Sequence, residues 1–189
     1  FRDGTNNLNT SDRTAMDEFV WAKSSDGSAW MAGGSYLAVR QIRMLISDWD
    51  DSVLKEQEDV FGRTKSGGAP LSGGSEFTTP DFSKLSADGK PAIAPDSHLA
   101  LAHPQNNGGV RILRRAFNYA NSDDASGATD VGLFFMSYQR DLSRQFVALH
   151  RQLSESDLLN EYIRHTASAA FAVPPGTSPG GYIGETLLA

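Results

Sequence analysis

The sequence predicts one α+β domain over residues 1–189, and three observations carry that reading. Helical apolar spacing and β-prone runs follow one another in mixed order, without the strand–helix–strand regularity of a parallel sheet. The run Val131-Gly132-Leu133-Phe134-Phe135-Met136 is continuously apolar. A 39% hydrophobic share over 189 residues is enough for a substantial core and argues against wholesale disorder.

Residues 1–18 are polar and turn-rich. Asp3-Gly4 marks a tight turn, and Asn6-Asn7 can bond back to local backbone. A short apolar run surrounds Phe19-Val20-Trp21. Residues 29–45 predict a strand pair or one long strand, broken at Gly33-Gly34, with Tyr36-Leu37-Ala38-Val39 as its β-prone part. A helix follows: Asp48, Asp50 and Asp51 enrich its first turn, Ser52 is the N-cap candidate, and Val53, Leu54, Gln57 and Phe61 share a face. Gly62 stands where a helix-ending glycine belongs.

Residues 62–97 are rich in Gly, Pro and Ser and lack periodicity, and a loop of that length inside a domain is usually functional. The dense segments 96–119 and 131–140 come next. The run at 131–136 predicts a strand buried on both faces. Asp141 opens a helix with Leu142, Phe146, Leu149 and Leu153 at helical spacing. A second short helix is predicted over about 156–165, and the tail after Pro174-Pro175-Gly176 reads as extended. No internal repeat is visible.

Composition excludes several classes of function. The net charge of −6 and pI near 5.1 argue against a nucleic-acid partner, because phosphate binding favours a basic field. No run approaches the ~20 apolar residues of a membrane-spanning helix, which argues against a membrane partner. The absence of cysteine removes disulfides, thiolate ligands and cysteine nucleophiles. There is no His-Glu-x-x-His zinc motif, no Gly-x-Ser-x-Gly elbow and no phosphate loop. The opening on Phe1, inside what reads as a working segment, predicts a processed or truncated chain whose preceding part carries structure.

Chemistry rests on four histidines and a few charged groups. His150 lies in an amphipathic helix beside Arg151 and Gln152 and reads as solvated. His165 follows Arg164 near a predicted helix end, where a C-terminal dipole contact accounts for it. His98 and His103 sit in the largely apolar stretch Ser97-His98-Leu99-Ala100-Leu101-Ala102-His103-Pro104, which leads to Val110-Arg111-Ile112-Leu113-Arg114-Arg115. An imidazole and a guanidinium in such surroundings need partners. Spacing alone therefore allows a buried His, a buried Arg and an Asp in a sharp turn around one cofactor.

A family resemblance sharpens this. Phe1-Arg2-Asp3-Gly4-Thr5-Asn6-Asn7 resembles the Gly-x-x-Asp-Gly motif of dye-decolourising (DyP-type) haem peroxidases without its leading Gly. Gly34-Ser35-Tyr36-Leu37-Ala38-Val39-Arg40-Gln41-Ile42-Arg43-Met44 resembles the strand that follows, and Phe61-Gly62-Arg63-Thr64-Lys65 the family's Gly-Arg-x-Lys turn. Ser97–Pro104 is similar to the haem-ligand segment, Ile112-Leu113-Arg114-Arg115 to the distal arginine segment, and Gly132–Gln139 to the late core strand. The matches run in order over nearly the whole chain.

The resemblance implies a C-terminal, ferredoxin-like haem-binding domain of a two-domain, secreted-type member, with the N-terminal half as its partner. It implies a secreted or periplasmic location and haem b as cofactor. Hydrogen peroxide and an organic reductant, a dye or phenol, are the implied substrates, and a homo-oligomer is compatible. The alternative is a haem-binding or iron-releasing protein of deferrochelatase type without peroxidase turnover.

By the same resemblance His98 is the proximal iron ligand, with His103 second, and Asp157 or Glu161 the carboxylate behind it. Asp3 shuttles the proton, which favours activity in acid, and Arg114 stabilises developing charge. Arg115 is an ion-pair or haem-carboxylate residue, and Asn6 a haem contact. Phe117, Phe134, Phe135 and Met136 are pocket walls. Ala116 stands where the family often has Asn, so a further distal hydrogen bond has to come from elsewhere. Tyr119, Tyr138, Tyr162, Trp21, Trp30 and Trp49 are the candidates for carrying electrons to the surface.

Overall fold

The ten-residue strand β1, Ser35–Met44, is the axis of the molecule. Its β-branched and aromatic residues suit a pleated surface. The computed structural model describes residues 3–121 and 129–188. Phe1 and Arg2, the first residues of the opening motif, lie outside that range. Ahead of β1, Gly33 takes a positive φ of 83°. A 3-10 turn at Ala29–Met31 stands where part of a strand was expected.

β1 pairs antiparallel with β4, Val131–Gln139, on one side and with β5, Ile163–Val173, on the other. The short strands β2, Leu113–Arg114, and β3, Phe117–Ala120, both pair with β4. The order β2/β3–β4–β1–β5 with helical crossovers after β1 and β4 is the split βαβ arrangement of a ferredoxin-like α+β fold. Gly132 is required here: a Cβ on it would collide with the Ile42 carbonyl oxygen of β1.

The helices are short. α1, Arg13–Phe19, starts at Asp12, whose side chain accepts from the Ala15 amide at 3.0 Å. α2, Ile46–Asp51, takes up the acidic residues expected to open the next helix. Leu54–Phe61 forms α3, with Val53 rather than Ser52 at its N-cap and Gly62 ending it at φ 73°. α4 is His98–Ala102, capped by Ser97. Asp141 starts a π-helical stretch, Leu142–Val147, that runs into α5, Ala148–Ser156. α6 is Glu185–Leu188. Between α3 and α4 the chain makes only turns and two isolated bridges, Arg63 to Pro70 and Leu85 to Pro91.

Two expectations are corrected. The helix expected over 156–165 is a 3-10 turn, Leu158–Glu161, followed at once by β5. β5 is alanine-rich, and at a sheet edge its pairing with β1 overrides that composition. The run at 131–136 is not buried on both faces. Phe134 is exposed, and its cross-strand neighbour Phe117 more so. One face of the sheet meets the helices; on the other, α1 covers only one end, where Leu8, Met16 and Val20 pack with Leu113 and Tyr138.

Candidate active site

A cavity of about 730 Å³ lies between the helix-facing side of the sheet and helices α3, α4 and α5. Strand alternation sets its sheet wall: Ile42 and Met44 of β1, Leu133 and Phe135 of β4, and Ile163 of β5 project the same way. Phe61, Leu99, Leu149 and Leu153 close the helical side. The lining is mainly apolar with few polar groups, in the size range of cofactor sites.

His98 is the first residue of α4, presented to the cavity by the Ser97 cap, whose Oγ accepts from the Ala100 amide. Its Nδ1 donates to Asp157 Oδ2 at 2.7 Å. Asp157 is nearly closed to solvent, and its other oxygen accepts from the Leu159 amide at 2.9 Å. Of the two carboxylates expected behind His98, the structure selects Asp157 over Glu161. With Nδ1 committed, Nε2 is the nitrogen left for a ligand. His103 also lines the cavity, but its Nδ1 accepts from the Gln105 amide at 3.3 Å and no carboxylate bonds it. Burial, Arg63 and Arg111 lower its pKa.

Arg114 enters from the sheet wall through β2, opposite Ser137 of β4. Its guanidinium donates to the Thr5 carbonyl. Burial, with nearby Arg63, brings it down to about 10, so it remains cationic at neutral pH. Gly4, Thr5, Asn6 and Asn7 form the adjoining wall. The turn is held from the long loop: the Gly4 amide donates to Glu76 Oε1 at 2.8 Å, and a Cβ on Gly4 would come within 2.6 Å of Glu76. Arg63 braces that loop, donating to the carbonyls of Gly68 at 2.6 Å and Glu76 at 3.1 Å.

The structure thus brings His98, Arg114, Asn6 and Phe135 to one cavity. It does not bring in Asp3, which is exposed in the 3-10 turn Asp3–Thr5 just outside the wall. Phe117, Phe134 and Met136 are also outside, because each points to the opposite face of the sheet from Phe135. Arg115 is exposed for the same reason, one residue out of phase with Arg114. Asn118, four residues after Arg114, does line the cavity and supplies an amide where Ala116 has none.

Two histidines were misplaced by sequence reasoning. His150 and His165 both line the cavity, and Arg40 Nη1 donates to His150 Nε2 at 2.7 Å. Reading β5 as a strand would have turned His165 inward with Ile163. Among the tryptophans and tyrosines, ring contacts lead to His98 only through Phe61, at 6.3 Å, and from it to Trp49 at 5.5 Å and on to Tyr162 at 5.0 Å. Tyr119 instead donates to Asp130, and Tyr138 packs against the small core around α1.

Comparison with known proteins settles the family. The family model described as "Dyp-type peroxidase, C-terminal" matches residues 1–178. The chain belongs to the Dyp-type peroxidase family. It is 40% identical over 189 residues to a dye-decolorizing peroxidase of Thermobifida fusca, covering 98% of this chain and 44% of that one. It is 37% identical over 192 residues to a deferrochelatase of Escherichia coli K12, covering 100% and 45%. Among solved structures, DtpA from Streptomyces lividans, in an X-ray-generated oxyferrous/water mixed complex, superposes with a TM-score of 0.92. Its identity is 44%, over 99% of this chain and 51% of that one. A DyP-type peroxidase from Streptomyces coelicolor gives a TM-score of 0.91 at 43% identity, covering 99% and 50%. The chain spans less than half the length of these curated relatives. Family members are haem enzymes that use peroxide.

Proposed function

We propose that this chain forms the haem-binding, catalytic half of a secreted or periplasmic peroxidase that reduces hydrogen peroxide and oxidises dyes or phenols in one-electron steps. The observation that carries this reading is His98, fixed by a near-buried Asp157 in an apolar cavity whose other wall presents Arg114. The donor set fits haem b: one imidazole with its second nitrogen already engaged, apolar walls for a flat macrocycle, and cations for its carboxylates.

Bound haem would supply the redox-active iron that takes electrons from organic donors and passes them to peroxide. Asp157 keeps the His98 ring in one tautomer and orientation, and its negative charge makes the imidazole a stronger donor. Arg114, preorganised by the Thr5 carbonyl, stabilises negative charge developing on a peroxide oxygen at no reorganisation cost. Asp3, at the rim, takes a proton from one peroxide oxygen and returns it to the other; its position next to bulk water also lets it exchange protons with solvent. Phe61 and Trp49 carry electrons inward from the surface toward His98.

The sheet face that carries Phe117, Phe134 and Phe171 is assigned to the remaining half of the relatives' length. Contiguous exposed apolar surface of this kind marks an interface. Secretion is tested by fractionation of the source cells, and export would fail if the protein stayed in the cytosol.

Stopped-flow haem absorption tests the chemistry. His98→Ala is expected to abolish the haem band or peroxide turnover, and full retention of both overturns the assignment. Arg114→Leu is expected to slow the reaction with peroxide by roughly 100-fold or more, while Trp49→Phe slows dye oxidation and leaves that first step intact. The likeness to deferrochelatases supports a second reading, removal of iron from haem. Appearance of metal-free porphyrin without peroxide consumption would favour it.

A further inference from the structure

Deep in the same cavity, away from His98 and Arg114, stands a cluster that the chemistry above does not use. Arg40 of β1, His150 of α5 and His165 of β5 converge on one point: Arg40 Nη1 lies 2.7 Å from His150 Nε2 and 3.4 Å from His165 Nδ1. A guanidinium has only donors, so both ring nitrogens face it as acceptors, and both imidazoles are held neutral. The ring of Phe146 stacks on His150 at 5.9 Å, and the Arg40 guanidinium carbon lies 5.1 Å from its centroid.

No carboxylate among the described residues answers this charge. Arg40 Nε is buried with no hydrogen-bond partner at all. A buried charge without a counter-ion is costly, and an orphaned guanidinium N–H costs more. Three elements nevertheless hold the cluster together in the cavity wall. The imidazoles respond to the unbalanced field: burial, then Arg40, then His165 push His150 down to about 4, and burial with Arg40 lowers His165.

We infer that Arg40, His150 and His165 form an anion subsite that takes a carboxylate of the cavity's porphyrin. A guanidinium binds a carboxylate through two parallel N–H donors, and Nε with an Nη is one such pair. The orphaned Nε supplies the first contact. The imidazoles add donors once a negative charge arrives, because that charge raises their proton affinity. The inference rests on the haem reading and specifies which group of the ligand this part of the wall recognises.

The test is an equilibrium titration of the full-length apoprotein, followed by the Soret absorption, with haemin and with haemin dimethyl ester. Wild type is expected to bind haemin at least about tenfold more tightly than the ester. Arg40→Met is expected to weaken haemin by about tenfold and leave the ester unchanged, with Arg40→Lys keeping part of the preference. Equal weakening of both porphyrins by Arg40→Met, or an undiminished preference for haemin, overturns the inference. Thermal stabilisation of the apoprotein by acetate or phosphate that depends on Arg40, with haemin affinity unaffected by the substitution, also overturns it, since the cluster would then serve a small free anion. Failure of wild type to give a Soret complex with either porphyrin would instead sink the haem reading itself.

Discussion

At the scale of single residues, the polar groups of the cavity are fixed from behind before any ligand arrives. Asp157 holds His98, the Thr5 carbonyl holds Arg114, and Arg40 holds His150. The last pair sets a pH dependence. His150 titrates near 4 in the folded chain against an ordinary 6.5, so between those values the unfolded chain binds the proton more readily. Stability from this group is complete above about pH 6.5 and is lost as pH falls toward 4. Asp26 acts lower: its bond to Arg140 brings it to about 2, so its contribution fades only below the ordinary 3.8. The thermal midpoint of the apoprotein is therefore expected to drop between pH 6.5 and 4, and His150→Gln to flatten that drop. A drop unchanged by the substitution would assign it elsewhere. His98 and Arg114 were legible as chemistry-bearing residues because the stretches around them are otherwise apolar. Arg40 was not, because it sits in an ordinary strand pattern and its partners lie on α5 and β5, far along the chain.

At the scale of elements, legibility followed local signals. Gly62 ended α3 where its left-handed geometry required, and Asp141 opened the helical stretch after β4 through its bond to the Arg144 amide. β5 was missed because Ala167, Ala169, Ala170 and Ala172 give neither clear alternation nor β-branching; only its register against β1 makes it a strand. The two-sided burial expected of β4 failed for a related reason. A continuous apolar run tells that both faces meet something apolar, but not that the partner belongs to this stretch of chain. Register is also where a small change does most harm. Gly132 passes so close to β1 that any Cβ must displace backbone. Gly132→Ala is expected to destabilise the protein by about 2–4 kcal/mol, since such strain falls among the larger single-residue effects. Chemical denaturation measures it, and a loss below about 0.5 kcal/mol would show that the strands can part there without consequence.

At the scale of the whole molecule, the sheet has two different faces. One encloses the cavity; the other presents Phe117, Phe134 and Phe171 to solvent. If the remaining half of the relatives' length packs there, Phe134→Ser raises the solubility of the 189-residue segment yet destabilises the full-length protein by about 3 kcal/mol, as for a core aromatic. Denaturation of the two forms checks this, and equal effects in both would leave that face bare. The order in which the sheet is assembled has its own consequence. Its central strand, β1, finds both neighbours only in the last third of the chain. On the ribosome that strand emerges early and waits unpaired while the long loop, α4 and α5 follow. The pocket is born only near the end of synthesis, so a prosthetic group meets a finished wall, and loading it is a post-translational event.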